Sequence, residues 1–365
     1  MAIFEQLSGM GHEQIVFCND DVTGLKAIIA IHDTTLGPAL GGCRMWDYKS
    51  EEEALEDVLR LSKGMTYKAA VSGLSLGGGK SVIIGDPKKL KNEAFFRTFG
   101  RFVNSLGGRY ITAEDVNIRV SDMEQVALET DYVTGISSRV GGSGDPSPVT
   151  AWGTFCGLKA SVKHRLGKDT VKGLKVAIQG CGAVGGHLAR YLKEEGAELY
   201  IADINEKKIA GLVSELGATA TELSKIHTLD VDVFAPCALG GFLNDETIPQ
   251  INAPVIAGAA NNQLLDEQKH AAMLKERNIL YAPDYVINAG GLINVYQELQ
   301  GYDPEAARTK AAGIYDTLLS IYATADEQGI TTSHASAKIA EDRINGIGKM
   351  KDLRNFLGNQ LWTNE

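Results

Sequence analysis

The chain has 365 residues, enough for two domains with a full core in each. It carries 46 Asp and Glu against 36 Lys and Arg, a formal net charge of -10 with no basic run, which excludes the electrostatic footprint of a nucleic-acid binder or an anionic-membrane binder. The start, MAIFEQLSGMGHEQ, lacks the basic and apolar regions of a signal peptide, and no stretch approaches the length of a membrane span, so a cytoplasmic chain is expected.

The cysteines (Cys18, Cys43, Cys156, Cys181, Cys237) are scattered, odd in number and never in a CxxC pair, so they read as reduced and mostly buried. The histidines show no HExxH spacing, and no metal is expected.

In chain order, Gln14 to Cys18 and Leu25 to Ile31 read as paired strands around the turn-forming Asn19-Asp20-Asp21. Thr34 to Gly42 reads as a small-residue loop able to pass close to a substrate. Ser50 with Glu53 forms a capping box before Ala54, Leu55, Val58 and Leu61, predicting a helix that ends near Lys63. The next stretch, KGMTYKAAVSGLSLGGGKSVIIGDP from Lys63 to Pro87, sets Lys68 and Lys80 in apolar, Gly-rich surroundings, where an ammonium group is costly unless it has a partner or a chemical task. Gly77-Gly78-Gly79 read as a place where a ligand approaches the backbone, delivering Lys80 at the mouth of the buried strand Ser81 to Ile84. Desolvation and a like charge nearby make lysines available as bases near neutral pH.

GGGKS also resembles the end of a phosphate-binding P-loop. The first glycine of that pattern would fall on Leu74, and a strand follows the lysine where a P-loop requires a helix. The plainer alternative is a glycine hairpin with an exposed lysine.

A helix is predicted from Phe95 to Leu106, with Phe95, Phe99, Phe102, Val103 and Leu106 on one face and a stop at Gly107-Gly108. Arg109 to Val116 reads as a strand running into the acids Glu114 and Asp115, with Ser121 and Glu124 capping a short helix beyond. Gly141 to Pro148 is the densest Gly/Pro/Ser cluster and marks a domain boundary, after which Thr150 can cap a helix.

The second domain opens with the strand Leu174 to Gln179 and then Gly180-Cys181-Gly182-Ala183-Val184-Gly185, a GxGxxG between a strand and a helical pattern, with Gly186 next. A second strand ends at Asp203, followed by Ile204. The first glycine makes the turn, the second admits the pyrophosphate, the third packs helix on strand, and the acid takes the ribose hydroxyls. Asp203 favours NAD over NADP, because its carboxylate repels a 2′-phosphate. Strands at Val231 to Ala235, Pro254 to Gly258 and Ile279 to Ala282 end in small or amide residues: Cys237 and Ala238, Asn261 and Asn262, and Asn288. Ligands of open parallel sheets bind beyond such strand ends, so these amides can meet a cofactor; for Asn261 and Asn262 a capped turn is the plain alternative. Beyond Gly291 the chain reads as helical, with a long helix starting at Pro304.

Together, Lys68, Gly77 to Lys80, Ala113 to Asp115, the Gly180 fingerprint, Asn261-Asn262, Asn288 to Gly291, GPALGG at 37–42 and SGDPSPVTAWG at 143–153 resemble the glutamate/leucine/phenylalanine/valine dehydrogenase family, closest to its leucine dehydrogenase branch. The resemblance implies an α/β fold of two domains. Residues 1–138 would form an N-terminal substrate and oligomerisation domain, to which a tail, 330–365, returns; 139–329 would form a Rossmann-type NAD-binding domain. It further implies a cleft that closes over substrate and a homo-oligomer, often an octamer.

In chemistry, the resemblance implies NAD-dependent reversible oxidative deamination of L-leucine, L-isoleucine and L-valine to 2-oxo acids and ammonia. Lys68 would grip the substrate carboxylate, Lys80 activate water and Asp115 relay protons at the amino nitrogen. Leu40, Gly41, Met65, Ala113, Asn262, Leu292 and Val295 would contact substrate; Thr150, Gly180 to Gly186, Asp203, Ile204, Cys237, Ala238, Asn261 and Asn288 would contact NAD. Departures occur at Asn117-Ile118-Arg119, where small and hydroxylated residues are usual, and at Cys43, where Thr is common. An aryl-amino-acid dehydrogenase is the alternative substrate reading. A non-catalytic NAD-binding protein is the remote one, and it has no use for two lysines and an acid in the other domain.

Overall fold

The computed structural model describes residues 3–238 and 240–361, the last stretch (351–361) as helical backbone. The chain divides into two compact units: residues 1–144, 298–302 and 340–365, and residues 145–297 and 303–339. Among the described residues no helix is long and apolar enough to cross a membrane.

The first unit holds helices α1 (Ile3–Met10), α2 (Glu51–Val71), α3 (Glu93–Asn104) and α4 (Val120–Ala127), and strands β1 (Gln14–Asp20), β2 (Leu25–Asp33), β3 (Ala39–Trp46), β4 (Gly77–Ile84) and β5 (Tyr110–Glu114). The sheet order is β1-β2-β4-β3-β5. β1, β2 and β4 pair antiparallel, while β3 runs parallel to both β4 and β5. A turn at Asp20, whose carboxylate accepts from the Thr23 amide at 2.8 Å, closes the β1–β2 hairpin through left-handed Gly24. Central strands are buried on both faces. Ile29, Ile31, Cys43 and Ile83 join the aromatic stripe of α3 on one side. Ile28, Ala30 and Val82 meet Ala54, Leu55, Val58 and Leu59 of α2 on the other.

Three local expectations change. The segment after Pro38 is strand β3, not loop; its small residues suit a strand squeezed between two parallel neighbours, a pairing no local pattern announces. Helix α2 continues past Lys63 through Lys68 to Val71, because nothing in 63–68 breaks it: Gly64 faces open space, and left-handed Gly73 follows the end. Helix α4 is capped from Arg119, whose amide donates to Asp122 Oδ2 at 2.9 Å, instead of by Ser121 and Glu124.

The second unit comprises α5 (Ser147–Leu166), β6 (Lys175–Gln179), α6 (Ala183–Glu194), β7 (Glu198–Ala202), α7 (Glu206–Leu216), β8 (Thr219–Ala220), β9 (Val233–Pro236), β10 (Val255–Ile256), α8 (Glu267–Glu276), β11 (Leu280–Tyr281), α9 (Asp284–Ile287), α10 (Gly290–Glu298), α11 (Pro304–Ala312) and α12 (Ile314–Gln328). Helix α13 (Thr332–Leu361) begins here and ends in the first unit. Its sheet, β11-β10-β9-β6-β7-β8, is parallel throughout. That order, with the crossover point beside β6, is the doubly wound dinucleotide-binding topology. Pro304 opens the nine-residue α11, not a long helix, and the chain re-enters as α12 after Gly313.

The structure also redraws the units. Residues 139–144 go with the first, where the Gly144 amide donates to Ile136 O at 3.2 Å and the Ser143 amide to Glu298 Oε1 at 2.9 Å. The tail's return starts at Ala340, not at 330. Before it, Thr332 Oγ1 donates to Tyr281 O and Ser336 meets Tyr285; after it, Arg343 donates to Ala70 O and Tyr67 to Glu341.

A pair of histidines lies under the first unit's sheet. His12 and His32 meet edge to face, 4.8 Å between ring centres. His32 bonds Thr66 Oγ1 at 2.8 Å and Met10 O at 3.1 Å, and His12 bonds Ser62 Oγ at 2.9 Å, so the rings join α1, β2 and α2. Burial pushes both down to about 4, with each ring beside another potential cation: His32 beside His12, and Lys63 beside both. Both are therefore neutral when folded and take up protons on unfolding once the pH drops below the ordinary histidine value. Stability contributed by these neutral rings is complete above about pH 6.5 and is lost as pH falls toward 4. Thermal midpoints between pH 7.5 and 4.5 are expected to fall more steeply in the native protein than in the His12→Asn/His32→Asn double variant; equal slopes would refute this.

Candidate active site

Strand parity fixes the site in the first unit. Side chains alternate faces along a strand, so Gly78, Lys80 and Val82 of β4 point to the α2 side. Across the parallel ladders, Leu40 lies beside Gly78, Arg44 beside Val82, and Ala113 beside Gly42. Leu40, Arg44, Lys80 and Ala113 therefore share one face, and Asp115, just past β5, joins them. The opposite face carries Cys43, Ser81 and Tyr110, with Ser81 Oγ and Tyr110 OH 2.9 Å apart.

The glycines allow this closeness, and protein atoms fill the room expected for a ligand. A Cβ on Gly78 would lie 2.1 Å from the Thr66 amide of α2, one on Gly79 would strike the Tyr110 ring at 2.7 Å, and one on Gly77 would meet Asp33 O at 2.0 Å. Gly41 is as constrained, its Cβ falling 1.6 Å from Gly79 O; a Cβ on Gly42 would press Asp115 Cβ at 2.9 Å. Lys80 stands within β4, not at its mouth, and is 6% exposed. Met65 and Lys68, both half-buried, flank the Thr66 contact on α2.

Lys80 Nζ lies 2.7 Å from Asp115 Oδ2. Arg44 Nε reaches that same oxygen at 3.2 Å, and its Nη1 reaches Asp57 Oδ2 at 3.0 Å. Tyr48 OH donates to Asp57 Oδ2 at 2.7 Å and Arg60 holds Oδ1 at 3.1 Å. Burial pushes the Asp115 carboxyl up, and the Lys80 and Arg44 cations outweigh it, leaving the group below its ordinary value. The site thus presents a carboxylate and a buried ammonium group beside the apolar walls Leu40 and Ala113. Sequence reasoning missed Arg44 and Asp57; reading β3 as a strand would have put Arg44 on the Leu40 face.

Both departures have structural explanations. Asn117 takes the left-handed conformation (φ 61°) with its amide on Met45 O at 3.0 Å, and Ile118 is buried in the α3-side core. These residues, with Arg119 as helix cap, build the turn after Asp115. Cys43 is fully buried on the face away from Lys80, its thiol pushed up to about 12 by burial.

In the second unit the loop after β6 fits a dinucleotide pyrophosphate. Gly180 (φ 97°) packs so tightly on Ala238 that a Cβ would lie 2.7 Å from its methyl, and a Cβ on Gly185 would lie 2.0 Å from Gly180 O and 3.3 Å from Cys237 Cβ. Gly182, at the α6 N-terminus, opens onto free space where a phosphate can meet the helix's unbonded amides. Ala183, Val184 and Gly186 form the first turn of α6. Asp203 accepts from the Cys181 amide at 2.6 Å and the Asn205 amide at 2.8 Å, and Ile204 is exposed. Asn288 Nδ2 donates to Asn261 Oδ1 at 2.6 Å and Ala259 O at 3.1 Å, and Asn262 adopts a left-handed turn (φ 52°). Thr150 is inside α5 and does not cap it; its hydroxyl bonds Pro146 O at 2.9 Å and faces Gly291. Leu292 and Val295 lie buried on α10.

A doubly wound dinucleotide-binding unit accompanied by a unit that buries a lysine–aspartate pair defines a dehydrogenase of small organic substrates. Comparison with known proteins makes the class narrower. Residues 12–132 match the model of the Glu/Leu/Phe/Val dehydrogenase dimerisation domain, and residues 141–345 match the Glutamate/Leucine/Phenylalanine/Valine dehydrogenase model. The chain is 56% identical to leucine dehydrogenase of Geobacillus stearothermophilus over 96% of this chain and 95% of that protein. It is 50% identical to phenylalanine dehydrogenase of Bacillus thermotolerans, over 95% and 91%. The crystal structure of L-tryptophan dehydrogenase from Nostoc punctiforme superposes with a TM-score of 0.85 at 51% identity, over 95% of this chain and 99% of that one. The chain belongs to the glutamate/leucine/phenylalanine/valine dehydrogenase family, amino-acid dehydrogenases that use a nicotinamide cofactor.

The packing of Gly185 yields a direct test. Gly185→Ala forces α6 away from Gly180 and Cys237, and dinucleotide affinity is expected to fall at least tenfold in a fluorescence titration; unchanged affinity would show that this loop does not hold the cofactor.

Proposed function

We propose that the protein catalyses NAD-dependent, reversible oxidative deamination of branched aliphatic L-amino acids, with L-leucine, L-isoleucine and L-valine as substrates. The observation that carries this reading is the 2.7 Å contact of Lys80 with Asp115 on the sheet face that also bears Leu40 and Ala113. The chemistry needs a proton relay and a base beside an apolar wall, and these residues supply both.

When bound, NAD would supply the acceptor for the hydride leaving the substrate Cα. Gly180 to Gly186 would hold its pyrophosphate, Asp203 and Ile204 would border its ribose and adenine, and Thr150, Cys237, Ala238, Asn261 and Asn288 would border the rest. Asp203 selects NAD, because both its oxygens are fixed by backbone amides in a position where a 2′-phosphate would meet its charge. Lys68 would bind the substrate carboxylate, with Gly41, Met65 and Asn262 as the further residues assigned to the substrate. Lys80 takes a proton from the water that adds to the iminium carbon, and Asp115 accepts the proton of the resulting hydroxyl as the carbinolamine collapses and relays it to the departing amine. Balanced, zwitterionic amino acid, water and NAD⁺ give the 2-oxo acid anion, ammonium, NADH and one proton. Lys80→Ala is expected to lower kcat by at least a thousandfold while NAD still binds, since the fingerprint belongs to the other unit; near-normal turnover would overturn the mechanism.

The residues assigned to the substrate side chain, Leu40 and Ala113 in the first unit and Leu292 and Val295 in the second, are all apolar and buried. A charged side chain finds no partner among them, which excludes glutamate. The Ala113 methyl shortens the space available to an aromatic ring and packs against a branched chain. The relatives named tryptophan and phenylalanine dehydrogenase, at 51% and 50% identity, support the second reading, an aryl-amino-acid dehydrogenase. A homo-oligomer is part of the proposal: the first family model is described as a dimerisation domain, and β1, at one end of the sheet order, exposes Phe17.

Catalytic efficiency for L-leucine is expected to exceed that for L-phenylalanine and L-tryptophan, and Ala113→Gly to narrow the gap. Discrimination among leucine, isoleucine and valine is expected to be modest, since one methylene is worth about 1–3 kcal/mol in an apolar pocket. An aromatic preference in the native enzyme would establish the second reading, and an unchanged ratio in the variant would remove Ala113 from the argument.

A further inference from the structure

Asp115 receives two cations on one oxygen. Lys80 Nζ and Arg44 Nε both meet Oδ2, at 2.7 and 3.2 Å. A single cation would suffice for a resting ion pair. In the proposed reaction, however, Lys80 gives up and regains a proton, and at that moment its hold on Asp115 is lost. An Asp115 carboxylate largely withdrawn from water and left alone would draw the proton itself, since burial penalises its charge. Arg44 remains cationic at any working pH and does not enter that exchange.

Arg44 is itself fixed. Its guanidinium spans two carboxylates, with Nε on Asp115 and Nη1 on Asp57, and its side chain is 21% exposed. Asp57 is in turn held by the Tyr48 hydroxyl at 2.7 Å and by Arg60 at 3.1 Å. The chain of contacts runs from α2 through β3 to the end of β5, so the orientation of Asp115 is tied to the same helix that carries Lys68. A lysine could not make both contacts, because it has one point of charge where arginine has a planar fork.

We propose that Arg44 is a positioning residue for the deamination reaction, holding Asp115 oriented and anionic through the interval in which Lys80 is not a cation. The inference rests on the reading of Lys80 and Asp115 as the reacting pair. Arg44 touches neither substrate nor cofactor in this role; it acts through Asp115.

The test is the pH profile of kcat/KM for leucine in native enzyme, Arg44→Gln, Arg44→Lys and Lys80→Ala, with NAD binding and thermal midpoint measured for each. In Arg44→Gln the acid limb, which belongs to the Lys80–Asp115 pair jointly, is expected to move up by about one pH unit, and kcat at its plateau to fall about tenfold. Arg44→Lys, which keeps charge and loses the fork, is expected to recover most of the limb and only part of kcat. NAD affinity stays native in both. A loss of packing alone would scale the whole profile down without moving its limb, and that result in Arg44→Gln overturns the proposal. If Arg44→Gln does not fold, Arg44→Lys decides: a native profile in kcat and limb alike overturns it. Should Lys80→Ala retain turnover, the underlying reading fails as well; an inactive Lys80→Ala with an unmoved limb in Arg44→Gln overturns the role of Arg44 alone.

Discussion

The first unit depends on a sheet centre with almost no side chains. At Gly41, Gly42, Gly77, Gly78 and Gly79 a single added carbon would sit within 1.6 to 2.9 Å of another strand, the Thr66 amide or the Tyr110 ring. Real side-chain carbons do not approach so closely, and overpacked sites cost about 1–3 kcal/mol or more each. The approach of α2 to β4 at Gly78 sets how deeply the Lys80 side of the sheet is covered, and a helix lying farther from the strand would leave Lys80 hydrated.

Desolvation then determines what the charges do. Ion pairs on a surface contribute little, but Lys80, 6% exposed, has given up most of its water and must be repaid by Asp115. Breaking such a pair leaves a buried charge without compensation, which costs more than the pair contributes intact. The sharing of Asp115 between Lys80 and Arg44 softens that penalty. With two cations on Oδ2, the carboxylate keeps a partner when either contact is broken. The second unit solves a different problem, binding an anion with backbone, and does so with the open face of Gly182 and the tight contacts of Gly180 and Gly185.

The parts legible in the sequence were those whose signals are local. GxGxxG between a strand and a helix, with an acid after the next strand, needs only a few dozen contiguous residues to be read, and the parallel sheet around it follows. Lys80 and Lys68 were visible as charges in apolar surroundings, and Asp115, the partner of Lys80, as an acid at a strand end. Strand β3 was not legible, because ALGGC has the composition of a loop and becomes a strand only between two parallel neighbours distant in sequence. For the same reason Arg44 went unremarked: its partners lie 13 and 71 residues away, and its meaning comes from parity along a strand that was read as a loop. The glycines were read as space for a ligand when they are space for Thr66 and Tyr110. The length of α2 went unread because nothing between 63 and 68 breaks the helix, and the start of the returning tail at Ala340 is set by packing against residues distant in sequence.

Substrate choice is separable from everything else in this architecture. The groups that react are common to every α-amino acid: a carboxylate, an amine and a Cα hydrogen. The residues proposed to meet them, Lys68, Lys80 and Asp115, say nothing about the side chain. On the proposed reading, selection is left to the volume and polarity of a few walls, and in an apolar pocket one methylene is worth about 1–3 kcal/mol between competing substrates. Differences of that size need no change in the glycine-lined sheet, the ion-pair network or the dinucleotide loop. Relatives at 50 to 56% identity can therefore bear the names of leucine, phenylalanine and tryptophan dehydrogenases. Identity over the whole chain follows the scaffold and the chemistry, while the preference between an aliphatic and an aromatic side chain follows a handful of apolar positions that overall similarity scarcely weighs.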